Sequence, residues 1–193
     1  MSLKIEMRGP VGDFEGGYSA AAFKEAIKDA EGDLEIVLDS EGGVVTEGLA
    51  IYNAMAAYPG NITVTIDTVA ASIATVIACA ADRVQMNDNA IYMIHRCWTA
   101  AAGNALDFRK TADIMEMLDS NIAGVYAGKT GLEEEPILQM MTDETWMDAA
   151  EAFNSGFVDG VNEIKKKKKP QASNRRKYQA IARLAAWNAH LSR

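Results

Sequence analysis

Short β-branched runs alternate along this chain with amphipathic or alanine-rich stretches, and few folds accommodate that alternation. Leu34-Glu35-Ile36-Val37-Leu38 reads as a strand closed by Asp39-Ser40-Glu41-Gly42-Gly43. A helical stretch carrying Leu49, Ile51, Tyr52 and Met55 follows and stops at Pro59-Gly60. Residues 62–66 predict a second strand, an alanine-rich helix is expected over about residues 70–81, and residues 90–94 predict a third strand. A long helix is expected over about residues 105–127. There Ile114, Met115, Leu118, Ile122, Val125 and Tyr126 recur at spacings of three and four, with Gly128 and Gly131 as its stop. Asp148 with Glu151 reads as a capping box opening a helix over residues 149–154; Gly156 ends it and Phe157-Val158 begins a final strand. Strands alternating with helices predict an α/β fold with a largely parallel sheet, without internal repeat.

With 49% apolar and 24% charged residues, the chain can bury a real core. Two cysteines in 193 residues exclude a disulfide-stapled secreted fold and point to a reducing compartment. No window approaches the roughly 18 apolar residues of a membrane helix, and MSLKIEMRGP holds no signal-peptide core. The net charge of -8 conceals a discontinuity. Residues 165–193 carry ten basic residues and no acidic one, so residues 1–164 keep nine of the 19 basic residues against all 27 acidic ones. The balance is thus -18 before the boundary and +10 after it. The expected organisation is an acidic domain over 1–164, a Lys-rich linker over 165–174 ending its lysine run at Pro170, and a basic amphipathic helix over 175–193. Tyr178, Ile181, Leu184, Ala185, Asn188 and Leu191 fall on one side of that helix. It reads equally as a docking element for an acidic protein surface, nucleic acid or membrane, and as a solvated extension.

Among motifs that carry chemistry, GxGxxG, GxxxxGK[ST] and HExxH are absent, and Cys79 and Cys97 lack zinc-site spacing. Cys79 reads as a small core residue. Cys97 shares a strand face with His95, but neighbours on one strand seldom align for proton abstraction. Three other features are more telling. Gly42-Gly43 lies where a strand gives way to a helix, so backbone N–H groups can approach a ligand and hold a developing oxyanion; a tight βα turn is the plainer use. Ser72 occupies the equivalent place in the next unit, over the carboxyl edge of the sheet, where a helix N-cap is the plainer role. His95 ends the following strand, directly after Tyr92-Met93-Ile94, where it can also be a satisfied core histidine. Together they supply a nucleophile, a base and an oxyanion donor at the ends of successive strands, as acyl transfer requires.

SEGG at 40–43, GLAIYNAM at 48–55, AAS at 70–72, MIH at 93–95 and EAFNSGFVD at 151–159 resemble the ClpP-type serine peptidases. YMIHRCW, AGNALDFRKTADIME, YAGKTG and DETWMDAAEA are especially similar to the phage-encoded head maturation (prohead) branch of that family. The likeness runs over about residues 3–164 in unbroken order. It implies Ser72 as nucleophile, His95 as general base, and the N–H groups of Gly43 and Ile73 as the oxyanion hole. The slot of the family's aspartate, counted back from Trp146, holds Glu144, with Asp143 adjacent as the alternate acid. Two departures bear on efficiency: Glu41 stands where the family usually has Pro before Gly-Gly, and Thr68-Val69 precede AAS where Gly is common.

The resemblance further implies a Clp/crotonase-like spiral of ββα units and homo-oligomeric rings, often stacked heptamers, that meet through a projecting handle helix at about 105–127. Gly42, Val44 and Val45 would pair with an extended substrate as an added strand. No metal and no organic cofactor are expected. The expected partners are protein or peptide substrates, foremost phage scaffold or capsid proteins, with an acidic protein surface or DNA for the tail. The expected location is the host cytoplasm or assembling prohead, without a membrane. The alternatives are an ATPase-coupled cellular Clp subunit and an impaired ring-forming structural protein.

Overall fold

The computed structural model describes residues 2–164. The Lys-rich linker and basic helix expected over 165–193 lie outside the described residues. Five parallel strands form the main sheet in the order β1-β2-β3-β4-β7: β1 (Leu3–Arg8), β2 (Leu34–Ser40), β3 (Ile62–Ala71), β4 (Arg83–Asn87) and β7 (Gly160–Asn162). Helices α1 (Ala20–Ile27), α2 (Val45–Ala56), α3 (Ile73–Cys79), α4 (Ala105–Thr130), α5 (Glu134–Thr142) and α6 (Ala149–Asn154) complete the α/β architecture. Among the described residues, no helix is long and apolar enough to cross a membrane.

The strand that matters most is β3. Its first half sits in the main sheet, where Val64 pairs with Ile36 of β2 and Val84 of β4. Between Leu38 and Ser40 of β2 the register slips, Leu38 facing Ile66 but Ser40 facing Ala70. A bulge of this kind bends a strand and strengthens its twist. Beyond it, Val69–Ala71 leave β4 and pair instead with β5 (Ile91–Ile94), which pairs antiparallel with β6 (Thr145–Met147). One strand thus exchanges β4 for β5 along the same edge and ends at residue 72, beside β5.

Burial follows the alternation of side chains along each strand. Leu34, Ile36, Leu38 and Ser40 point inward on β2, and Ile62, Val64 and Ile66 do so on β3. Tyr92, Phe157 and Tyr126 form the aromatic centre, with Phe157 edge-on to Tyr126 at 5.6 Å between centroids. The predicted strand at Phe157-Val158 is corrected: both residues are buried in the turn after α6, and the pairing begins at Gly160. The alanine-rich helix starts at Ile73, because Ala70 and Ala71 still belong to β3. Gly128 does not stop α4, which runs on to Thr130 and ends at Gly131 in the left-handed region at φ 75°.

Candidate active site

Ser72 stands between β3 and α3 with φ 56° and ψ -133°, a conformation rarely adopted by residues with a side chain. Its neighbours hold that geometry. The Ser72 N–H donates to the Met93 carbonyl at 2.9 Å, and the Ser72 carbonyl accepts the Thr75 hydroxyl. The Tyr126 and Thr75 hydroxyl oxygens lie 2.6 Å apart; since Thr75 gives its proton to Ser72, Tyr126 is the donor between them. Although Ser72 occupies the N-cap position of α3, its side chain makes no capping bond. Oγ instead lies 2.8 Å from Nε2 of His95.

His95 follows the last residue of β5 and is half-buried. Burial pushes its pKa below the ordinary 6.5, while the carboxylates of Glu144 and Asp119 act in the opposite direction. A neutral imidazole can accept the hydroxyl proton, and a nearby carboxylate then stabilises the imidazolium. The antiparallel ladder ends with Met93 facing Trp146 and Ile94 facing Thr145. Just past the end of that ladder, His95 and Glu144 line one cleft together. Glu144 has φ 50° and its carboxylate accepts the Trp146 indole N–H at 3.1 Å. Its charge acts on His95 through the cleft they share, while its hydrogen bond is to Trp146. Asp143, the alternate acid, is the C-cap of α5; its carboxylate accepts from the Gln139 amide at 2.9 Å and lines neither cleft beside His95.

The glycine loop lies over the serine. Gly42 has φ 98°, and a Cβ there would stand 2.7 Å from Ser72 Cβ and 2.8 Å from the Ala71 carbonyl oxygen. At Gly43 a Cβ would collide with the Val11 carbonyl oxygen. Only glycines permit this approach. Ser40, fully buried, accepts the Gly42 N–H at 3.1 Å and so fixes the loop from below. The Gly43 N–H has no acceptor among the described residues. Ile73 opens α3, where first-turn N–H groups lack intrahelical acceptors. Gly43, Ser72, Ile73 and His95 line one cleft of about 70 Å³, whose apolar side is formed by Val45, Val76, Ile122 and Tyr126.

The added-strand expectation is corrected at Val44 and Val45. The Val44 N–H is taken by the Val11 carbonyl at 2.8 Å and its carbonyl by Gly48 at 3.1 Å, so Val44 offers no free edge. Val45 is the first residue of α2 and has no extended backbone to pair; its side chain lines the cleft. Gly42 donates to Ser40 and accepts from Val11 at 2.8 Å. Cys97 is no partner for His95: burial, with Asp119 beside it, pushes its thiol up to about 12. Cys79 is likewise pushed up to about 12 by burial and lies 3.8 Å from the Tyr92 hydroxyl. Glu41 is not among the charges acting on His95; with Asp39 it bears on Tyr18, whose phenol burial already pushes upward.

Asp119, Arg96, Trp98 and Tyr126 belong to the site or its walls; Arg96 and Trp98 stand within YMIHRCW and Tyr126 opens YAGKTG without a chemical role attached, and Asp119 lies in no short motif. For Asp119 a sequence signal existed. It continues the buried face Ile122-Ala123-Tyr126 one helical turn toward the N-terminus, and a carboxylate in phase with an apolar stripe must be paired.

A serine on a strained strand-to-helix elbow, hydrogen-bonded to a histidine and flanked by free N–H groups, is the arrangement of an α/β serine hydrolase. The sequence profile of the Clp protease family matches residues 23–165. The chain also resembles the ATP-dependent Clp protease proteolytic subunit 1 of Streptomyces avermitilis, at 31% identity over 77% of this chain and 70% of the relative. Subunit 3 of Rhodococcus jostii is 30% identical over 70% of this chain and 68% of its own. The subunit of Ligilactobacillus salivarius is 29% identical over 72% of each. This chain belongs to the Clp protease family, and with it to the serine-type peptidases.

Proposed function

We propose that this protein is a serine endopeptidase in which Ser72 is the nucleophile, His95 the general base and Glu144 the acid that orients and stabilises the imidazolium. The observation that carries the reading is the 2.8 Å contact between Ser72 Oγ and His95 Nε2. His95 takes the hydroxyl proton as Oγ attacks the scissile carbonyl. The N–H groups of Gly43 and Ile73 receive the oxyanion. His95 then returns the proton to the leaving amine, and water repeats the cycle on the acyl-enzyme. Glu144 completes the triad by turning from Trp146 toward His95, a movement supported by the cleft the two residues share and by the charge it already exerts there. No cofactor enters this chemistry.

The substrates proposed are phage scaffold or capsid proteins cleaved during head maturation, supported by the likeness of YMIHRCW and DETWMDAAEA to that branch. The protein would work as a homo-oligomeric ring. Leu106, Phe108, Ile114 and Met117, all exposed on the outer half of α4, are the apolar surface such a ring would cover. A second reading is an ATPase-coupled proteolytic subunit, favoured by the names of the curated relatives. Co-expression with candidate phage scaffold and capsid proteins, comparing wild type with Ser72→Ala and His95→Ala by mass spectrometry, distinguishes them. Cleavage of head proteins is expected for wild type alone, and each substitution is expected to lower peptide hydrolysis by about 10³-fold or more. Retained cleavage by Ser72→Ala sinks the peptidase assignment. Cleavage only after addition of an unfolding ATPase supports the second reading. Failure of a fluorophosphonate probe to label Ser72 in folded protein supports an inactive structural role.

A further inference from the structure

An ionised carboxylate removed from water is stable only when it is paired. Asp119 is such a group: its side chain is 5% exposed and shares the inner face of α4 with Ile122, Ala123 and Tyr126. Its partners come from another segment. Oδ1 accepts the Cys97 N–H at 2.7 Å, and Oδ2 accepts Nη1 of Arg96 at 3.1 Å. Arg96 reaches onward, its Nε donating to the Thr142 hydroxyl at 2.8 Å and its backbone N–H to the Met141 carbonyl at 3.1 Å. Arg96 and Cys97 directly follow His95, whereas Met141 and Thr142 directly precede the turn that holds Glu144. One carboxylate and one guanidinium thus join the middle of α4, the end of β5 and the end of α5 where base and acid face each other.

We propose that Asp119 is a positioning residue for peptide hydrolysis, holding through Arg96 and Cys97 the strand end that carries His95 beside the Glu144 turn. The inference rests on the roles given above to Ser72, His95 and Glu144. The ladder between β5 and β6 ends at Ile94 and Thr145, so His95 is the first residue the sheet does not hold. Bonds from residues 96 and 97 take over. A displacement of about 1 Å at a reacting group can lower a rate by two orders of magnitude, so what fixes this segment fixes catalysis. The Ser72 hydroxyl touches the imidazole, the carboxylates of Glu144 from the turn after α5 and Asp119 from α4 act on it, and Arg96, Cys97 and Thr142 line the cleft beside it. The two carboxylates favour the imidazolium and burial opposes it.

Two variants test this. Asp119→Asn keeps the shape and an acceptor for the Cys97 N–H but removes the charge that holds Arg96. With a fluorogenic peptide, its kcat is expected to fall about 10- to 100-fold, as for other partners that orient a catalytic group. KM should change far less, and the acid limb of kcat/KM should move to lower pH. Thr142→Val removes the side-chain bond between Arg96 and the turn at an exposed position, leaving the Arg96 backbone bond to Met141 in place and no buried charge. Its kcat should fall several-fold, with little further loss in the Asp119→Asn background, because both act through Arg96. The proposal is overturned if Asp119→Asn lowers only the unfolding temperature, leaving kcat per fluorophosphonate-labelled Ser72 and the acid limb at wild-type values. Fully additive losses overturn it too. Should Asp119→Asn not fold, Thr142→Val decides alone, and a wild-type kcat refutes the clamp. Ser72→Ala separates the two layers: if it still cleaves, the peptidase roles fall, whereas if it is dead and the clamp variants are normal, only the clamp does.

Discussion

Glu144 occupies the left-handed region at φ 50°, one residue past the C-cap of α5, where glycine is the usual occupant. A side chain there costs on the order of 1 kcal/mol, and the chain keeps a glutamate whose charge faces His95. Replacing it with glycine is therefore expected to raise stability by up to about 1 kcal/mol in urea unfolding, while peptide hydrolysis collapses. Glu144→Gln isolates the charge. Burial lowers the His95 pKa from 6.5 and Glu144 partly restores it, so the wild-type acid limb of kcat/KM should lie below 6.5. Without the carboxylate that limb should move further down, and kcat should fall by roughly 10²- to 10⁴-fold. The stability sign follows from the same shift. A histidine with a depressed pKa folds best neutral, so its contribution is intact above the unfolded value and is lost as pH falls through about 6.5 toward the native value. An acid limb unmoved in Glu144→Gln would remove Glu144 from the triad.

At the scale of elements, the elbow at Ser72 is held by a chain of hydroxyls that joins α3 to α4. Tyr126 and Thr75 are buried, and the Tyr92 hydroxyl adds a bond to the Thr75 carbonyl at 3.3 Å. Tyr126→Phe removes one donor and leaves the Thr75 oxygen short of a partner, costing about 1–3 kcal/mol. Hydrolysis is expected to fall several-fold with the Ser72→His95 pair still present; an unchanged rate per labelled serine would show that the elbow holds without this brace. Elements whose pattern is local were legible in the sequence: the β-branched strands at 34 and 62, the Asp148–Glu151 cap, and the long helix of α4. The carry of β3 through Ala71 was not, because alanines favour helix by propensity and only pairing with β5 makes them strand. Strands β1 and β4 do alternate, through Leu3, Ile5 and Met7 and through Val84 and Met86, but over only six and five residues, and α1 and α5 span only eight and nine, too short for the periodicity to stand out without the packing around them. Ser72 and His95 could be placed because motif and strand end coincide. Arg96 and Asp119 could not be matched, since they lie 23 residues apart and meet only when α4 folds back across β5.

Across the whole molecule, charge is divided more sharply than any structural boundary requires. Residues 1–164 carry -18, while residues 165–193 carry +10 and no acidic residue. A variant ending at Ile164 keeps every described residue of the cleft and should hydrolyse a small peptide at the wild-type rate. The tail's effect should appear only in what the protein binds. A +10 segment is attracted to acidic polypeptide or to phosphate, and both attractions weaken with salt. They differ in steepness, because DNA releases condensed counterions and its binding falls with a log–log slope of about -0.9 per phosphate neutralised. The tail is expected to carry docking onto an acidic scaffold or capsid surface. Full-length protein should then bind polyglutamate and co-expressed scaffold more tightly than the truncated variant, with a shallower salt dependence than a duplex of equal charge would give. Equal binding by the two forms would return the tail to a solvated extension. Preferential, steeply salt-dependent binding to duplex would instead make DNA the guide that brings the peptidase to its site of work.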